Sequence, residues 1–502
     1  MTLPTLPMYL LLLLLLLPLV VFFKKRMEIQ NQDPPGPLKL PILGNLHQLV
    51  PSPMQSLVQL SKKYGPVMLL HIGRLPFVVI SSAEAAREVL KVHDHICCSR
   101  PRMVGTGRIS YNFLDVAFAP YTGNWRNMRK IMIMELLNLK RVQSFRFIRE
   151  EEVGLLMSSL SQSSSNGATV NLTDKLYVLA ANITFRMTFG LSFEGTHFDR
   201  NRFQEVVHEA EAIMGSPSAV EYLPCFSRIM DWLTGYRTRM ERAFHELDAV
   251  LQEVIDDHLK PGLIKDREDM VDVLLKIEKE QYGQGTPFTN DNVKAVLVDL
   301  FLAGIGSTAV AMNWVMAELI KNPRVMKKAQ DEVRNRVGSK GRVSENDADQ
   351  LEYLKLVIKE TLRLHPPGPL LIPRETMSSC KINGHEINPK TIIAVNALAI
   401  GRDPKSWKDP EVFFPERFAD SSVDYNGHNF EFLPFGAGRR ICPGLNMALI
   451  ILQTAIANLL YCFDWKLPVG MKEEDIDMEG KTGSSLLVSK KQPLSLLPVS
   501  YL

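Results

Sequence analysis

Cysteine is scarce in this chain: six residues in 502, at positions 97, 98, 225, 380, 442 and 462, with no Cys-x-x-Cys pair among them. Such usage excludes a disulfide framework and leaves zinc and thioredoxin-like chemistry unsupported. A reducing compartment fits. An excess of one charge is missing too. Lys and Arg total 58 against 55 Asp and Glu, a net charge of +3, too small to make nucleic acid the main partner. There is no internal repeat and no linker that divides the body, although the length alone would suggest two or more domains. With 46% hydrophobic and 23% charged residues, the composition is that of an ordinary globular protein with an ample core.

Charge is absent altogether from residues 3–23, and 10–17 is an unbroken run of leucine. About 20 apolar residues span a bilayer as a helix. Lys24-Lys25-Arg26 follows at once, which places that end in the cytoplasm. A cleaved secretory signal would carry its charges before the apolar stretch and small residues after it. The order here is the reverse, so residues 1–23 read as an uncleaved transmembrane signal anchor. Membrane lipid is then a partner, and the body is cytosolic. The acceptor patterns at Asn171 and Asn182 would stay unglycosylated on that side. Residues 24–41, basic and then rich in proline, read as a stiff hinge. Residues 42–502 read as one large body.

Helical spacing of apolar residues predicts helices over 83–92, 121–137, 203–214, 238–258, 269–281, 289–320, 324–337, 345–364 and 445–463. Short β-rich pieces are predicted at 71–73 and 77–81, joined around Arg74-Leu75-Pro76, and at 381–387 and 391–395. A hairpin is expected around 484–496, and the serine-rich tract 158–165 reads as a loop. The fold class is mainly α with a minor β part.

Cys442 sits in Phe435-Gly436-Ala437-Gly438-Arg439-Arg440-Ile441-Cys442-Pro443-Gly444. Thiolate is the metal-binding form of cysteine, and neighbouring positive charge favours it. Glycines permit a tight backbone that turns N–H groups toward the sulfur. Phe435 would shield one side. Such a loop suits a sulfur held against a flat metal macrocycle, and cysteine-ligated haem iron is the known case in which axial sulfur favours O–O cleavage. The plainer reading is a buried cysteine in a glycine-rich turn.

Other constellations have both a plain and a chemical reading. Glu360 and Arg363, at i, i+3 on an apolar helix, form an ion pair that would need partners if buried; Arg417 is one candidate. Trp125 and Arg129 share a helical face and offer the indole and guanidinium donors that two carboxylates require, or merely anchor a surface helix. The segment Ala303-Gly304-Ile305-Gly306-Ser307-Thr308 places two glycines inside a helix, each costing about 1 kcal/mol against alanine. It marks either a close helix contact or a local kink where a small ligand sits.

The spacing Phe-x-x-Gly-x-Arg-x-Cys-x-Gly resembles the haem-binding loop of the cytochromes P450. Pro34-Pro35-Gly36-Pro37, Leu364-His365-Pro366-Pro367, Gly401-Arg402-Asp403-Pro404 and Phe414-Pro415-Glu416-Arg417-Phe418 are similar to segments of the microsomal plant members of the A-type group. The likeness runs along essentially the whole chain. It implies the single large, triangular α-rich fold of that family, haem b, and electrons from NADPH through a cytochrome P450 reductase at the endoplasmic reticulum membrane. By the same resemblance Cys442 is the iron ligand, and Trp125, Arg129, Arg374 and Arg440 hold the haem propionates with Phe435 beside the sulfur. Glu360, Arg363 and Arg417 form an internal ion network. A basic face on the thiolate side would suit an acidic reductase, with Arg126, Lys130 and Arg439 as candidates beside the plainer reading of solvated surface charges.

One departure stands out. Most members carry Ala/Gly-Gly-x-Asp/Glu-Thr in the long helix, an acid and an alcohol that deliver protons to bound oxygen. Here Gly306 occupies the acid position and Ser307 the alcohol position. Ser307 or Thr308 would then orient a water relay in a monooxygenase. The alternative is a reaction needing less protonation, such as dehydration of an oxime or a rearrangement. The expected pocket segments 102–119, 203–216, 298–306, 367–373 and 482–487 carry few charges, which implies a small apolar substrate, such as a plant secondary metabolite. A haem-binding sensor, or a scaffold without haem, is the non-enzymatic alternative.

Overall fold

The computed structural model describes residues 33–501 apart from 51, 192–199, 216–218, 223–226, 261–266, 282–287 and 482–485. The expected anchor and its basic cluster lie outside the described residues. The prolines after them do not hang free. Pro35 accepts from the Leu69 N–H at 2.9 Å, and Asn45 N–H donates to the His71 carbonyl at 2.7 Å. A side chain on Gly36 would run into the Leu69 carbonyl, so the strap lies flat along the strand Val67–Ile72.

The architecture is helical around one axis, the helix Asn290–Lys321. Thr289 caps it reciprocally with Asn292, a capping box that satisfies free N–H groups of the first turn. It ends where Pro323 opens the next helix, Pro323–Val337. Leu172–Phe189 packs along one side and Leu445–Cys462 along another. Asn290–Lys321 and Leu445–Cys462 are apolar enough to span a membrane by composition, yet 67% and 72% of their most apolar windows are buried within the protein. They are the core.

A four-stranded sheet flanks this body in the order Val67–Ile72, Leu75–Ile80, Ile392–Val395, Arg374–Glu375. Phe77 to Ile80 pair in parallel with Ile392 to Val395, joining segments from opposite halves of the chain. Pro76 sits opposite His71 and outside that parallel register, so its missing N–H costs nothing on the inner side. The hairpin therefore turns at Gly73-Arg74 rather than around residues 74–76. A separate sheet places Ser495–Ser500 between Phe463–Lys466 and Val170–Asn171, antiparallel to both.

Two further expectations need correction. The serine tract is the last part of the helix Arg146–Ser165. Its hydroxyls bond back to carbonyls four residues earlier, Ser158 to Gly154 at 3.0 Å and Ser163 to Ser159 at 3.2 Å, so they do not compete with the helix. Residues 345–364 form two helices, Glu345–Ala348 and Glu352–Leu364. The expected hairpin around 484–496 lies partly outside the described residues; beside that gap Gly480 and Lys490 form an antiparallel bridge.

Candidate active site

The loop bearing Cys442 sits beneath the axial helix. Its shape comes from left-handed glycines, φ 70° at Gly436 and 69° at Gly438. A side chain on Gly438 would strike the Leu90 carbonyl and come 2.8 Å from the Asp94 carboxylate. The Cys442 N–H donates to the Phe435 carbonyl at 3.0 Å, closing the loop just before Leu445–Cys462 begins. Burial pushes the Cys442 thiol pKa up, opposed by the Gly444 N–H and the Arg129 guanidinium. The positive charge near the sulfur is thus Arg129, brought from the helix Gly123–Ile131. Arg439 and Arg440, its neighbours in sequence, point elsewhere.

Arg440 donates to the carbonyls of Cys98, Val116 and Ala119 at 2.9, 3.0 and 2.6 Å, and its guanidinium lies 4.0 Å from the centre of the Trp125 ring. Arg374, placed by its edge strand, bridges Asp94 at 2.7 Å and the Ala437 carbonyl at 2.8 Å. Arg129 donates to the Ile441 carbonyl. The Trp125 indole donates to Val116 O at 2.9 Å, so that donor serves the backbone. Sequence reasoning missed Arg100, which is buried and donates to Ala117 at 2.9 Å, to Pro373 at 2.8 Å and to Ile372. Burial and the facing charge of Arg374 lower the Arg440 pKa to about 10, and burial, then the charges of Arg440 and Arg374, push the Arg100 pKa down in turn. Mutually repelling guanidinium groups at one edge of a cavity favour an anionic ligand there.

Above the loop runs residues 303–308 of the axial helix. The Ser307 hydroxyl donates to the Ala303 carbonyl at 2.6 Å, and Thr308 is buried. A side chain on Gly304 would meet Thr184 Oγ1 at 3.2 Å, so this glycine allows the close approach of Leu172–Phe189. Between loop and helix lies a cavity of about 370 Å³, within the range of small-molecule sites. Its lining brings together Arg129, Arg374, Phe435, Arg440, Cys442, Ser307 and Thr308. Trp125 stays behind Arg440. The lining includes Phe118, Met214, Leu302, Ile372 and Leu487 from the five expected segments, and adds Thr184, Met187 and Thr188, which sequence reasoning missed. The i, i+4 hydroxyls of Thr184 and Thr188, both buried on the helix Leu172–Phe189, were the available signal.

Beneath the site the ion network is closed. Glu360, with no exposed surface, accepts from Arg363 at 2.7 and 2.8 Å, from the Phe414 N–H at 2.8 Å and from Arg417 at 2.9 Å. Arg363 spends its other donors on the carbonyls of Gly401 and Pro410 at 2.6 and 2.7 Å. Every charge is partnered, which a buried cluster requires.

A family model described as Cytochrome P450 matches residues 34–497. Among similar proteins, cytochrome P450 71B36 of Arabidopsis thaliana is 49% identical over 488 residues, covering 96% of each chain. Cytochrome P450 71B37 of the same plant is 50% identical over 483 residues, 95% of each. Among solved structures, a zebra fish cytochrome P450 with progesterone superposes with a TM-score of 0.76 at 25% identity, over 89% of this chain and 99% of that one. Its counterpart with abiraterone gives 0.73, over 90% and 100%.

Proposed function

Because the chain belongs to the cytochrome P450 family, as a haem-dependent monooxygenase served by a redox partner, we propose that it oxidises a small apolar plant secondary metabolite at the cavity above Cys442. Haem b, when bound, supplies activation of dioxygen with electrons delivered one at a time. The chain's own residues fit that group. Cys442 would bind its iron, with Phe435 beside the sulfur. Arg129, Arg374 and Arg440 would hold the propionates, with Trp125 backing Arg440, and the crowding of guanidinium charge at that edge is what favours two carboxylates there. Ser307 and Thr308 would orient water beside the substrate.

The observation that carries the reading is the cavity itself. It has a thiol on its floor, a basic edge, and an upper wall of Leu, Met, Phe and Ile side chains. Apolar walls select by shape and by water exclusion rather than by charge. Electrons would come from NADPH through a cytochrome P450 reductase, and residues 1–23 would hold the enzyme at the endoplasmic reticulum membrane. The 24–41 strap, whose described part lies along Val67–Ile72, would set its tilt.

A reduced, CO-bound difference spectrum tests the ligand. Thiolate coordination gives a Soret band that Cys442→Ala abolishes; a band surviving that change would sink the assignment. Product mass then separates the reactions. A gained oxygen supports monooxygenation, and a lost water supports the dehydration that Gly306 had raised as an alternative.

A further inference from the structure

The glycine at 306 does not leave its surroundings without an acid. Glu211, from the helix Arg200–Gly215, also lines the cavity. A Cβ built on Gly306 would lie 2.9 Å from Glu211 Oε1 and 2.8 Å from Leu487 Cδ1. The carboxylate thus fills the space into which a side chain at 306 would grow. Glu211 Oε1 is buried and has no protein hydrogen-bond partner among the described residues. A bare carboxylate oxygen in an apolar cavity is costly, and a buried polar group left unpaired calls for a functional explanation.

The other oxygen faces His208. Glu211 Oε2 lies 3.6 Å from His208 Nδ1, whose side chain is 58% exposed. The imidazole stacks on the Tyr177 ring at 4.8 Å, which holds it beside the carboxylate. Tyr177's own hydroxyl is buried, and burial together with the Glu211 charge raises its pKa, so it stays protonated. The result is a short path from solvent through an imidazole and a carboxylate to the space over Gly306.

We propose that Glu211 carries protons into the cavity in place of the acid that position 306 lacks, with His208 as its contact with solvent. This rests on the oxidative reading. Insertion of oxygen follows RH + O2 + 2 e⁻ + 2 H⁺ → ROH + H2O. The electrons come from the redox partner, and one oxygen atom enters the C–H bond. The protons pass from water to His208, to Glu211 and to the oxygen atom that leaves as water. Without substrate the same path serves O2 + 4 e⁻ + 4 H⁺ → 2 H2O, and its loss diverts O2 to H2O2.

The experiment uses the full-length holoenzyme with its reductase, NADPH and air, with no added substrate. Glu211→Gln raises the peroxide formed per O2 consumed at least about twofold, as expected when a positioned proton donor is removed. Glu211→Asp stays near the parent, and adding Gly306→Asp to Glu211→Gln brings the ratio back down. Thermal stability gives a readout independent of turnover. Gly306→Asp alone lowers Tm, because its carboxylate meets Glu211, and lowers it less in the Glu211→Gln background. A peroxide fraction unmoved by Glu211→Gln, or strictly additive Tm shifts, overturns the proposal. A product that has lost water rather than gained oxygen overturns the oxidative reading instead, and leaves the Tm coupling between positions 306 and 211 in place.

Discussion

Glu360 shows how one residue holds the floor of the site. Its two oxygens accept four hydrogen bonds, three from guanidinium groups and one from the Phe414 N–H. Glu360→Gln keeps the shape and removes the charge, leaving Arg363 and Arg417 facing each other across an amide. Breaking a buried ion pair from one side costs about 3–5 kcal/mol. Thermal denaturation and the yield of haem-loaded protein check this, and a loss below about 1 kcal/mol would contradict the network's structural weight. The residues legible in advance were those whose meaning is local in sequence. Cys442 declared itself through its neighbours, and the Glu360–Arg363 pair through its spacing. Arg100, Thr184 and Glu211 did not, because each acquires its role from a residue brought near only by folding.

At the scale of elements, the contact of Leu172–Phe189 with Asn290–Lys321 depends on Gly304. Its absent side chain leaves room for Thr184, whose Oγ1 and Cγ2 would be 3.2 and 3.3 Å from a Cβ there. Gly304→Leu overpacks this contact and costs about 1–3 kcal/mol despite the better helix propensity of leucine. Thr184→Ala in the same chain recovers part of the loss, and denaturant unfolding of the double mutant measures how much. The glycine pair in that helix was read as a close contact or a kink. Gly304 is the first, while Gly306 makes room for a carboxylate from another helix. Helix periods were well marked along the chain because amphipathic spacing survives inside a core. The Ser158 to Ser165 tract misled for the opposite reason: composition favoured a loop, and hydroxyls bonding back along the helix let packing decide.

For the whole molecule, charge lies where a partner would read it. Arg126, Lys130 and Arg439 are exposed. Arg126 and Arg439 both lie 6.0 Å from the ring centre of Tyr121, so the ring gathers them onto one face on the Cys442 side. Reversing all three to Glu raises the KM for the reductase by roughly tenfold at low salt, because complementary charge mainly governs encounter. The effect shrinks as ionic strength rises. Steady-state NADPH oxidation titrated with reductase checks it, and an unchanged KM would count against this docking face. The family fold was legible because its motifs punctuate the chain from end to end. The sheet pairing was not, since Phe77 to Ile80 meets Ile392 to Val395 across most of the sequence and no local pattern announces it.

The strand Ser495–Ser500 has a consequence for biosynthesis. It is the middle strand of its sheet, joining Val170–Asn171 to Phe463–Lys466. Neither neighbour can complete its hydrogen bonding until residue 500 has left the ribosome. Domains made during translation ordinarily settle from the N-terminus onward. Here one small sheet, drawn from residues 170–171, 463–466 and 495–500, stays incomplete until the strand latest in sequence has emerged. Until Ser495–Ser500 docks, the two strands it joins keep unpaired edge groups that invite mispairing, and it is in that interval, more than in the finished enzyme, that chaperones would find the chain.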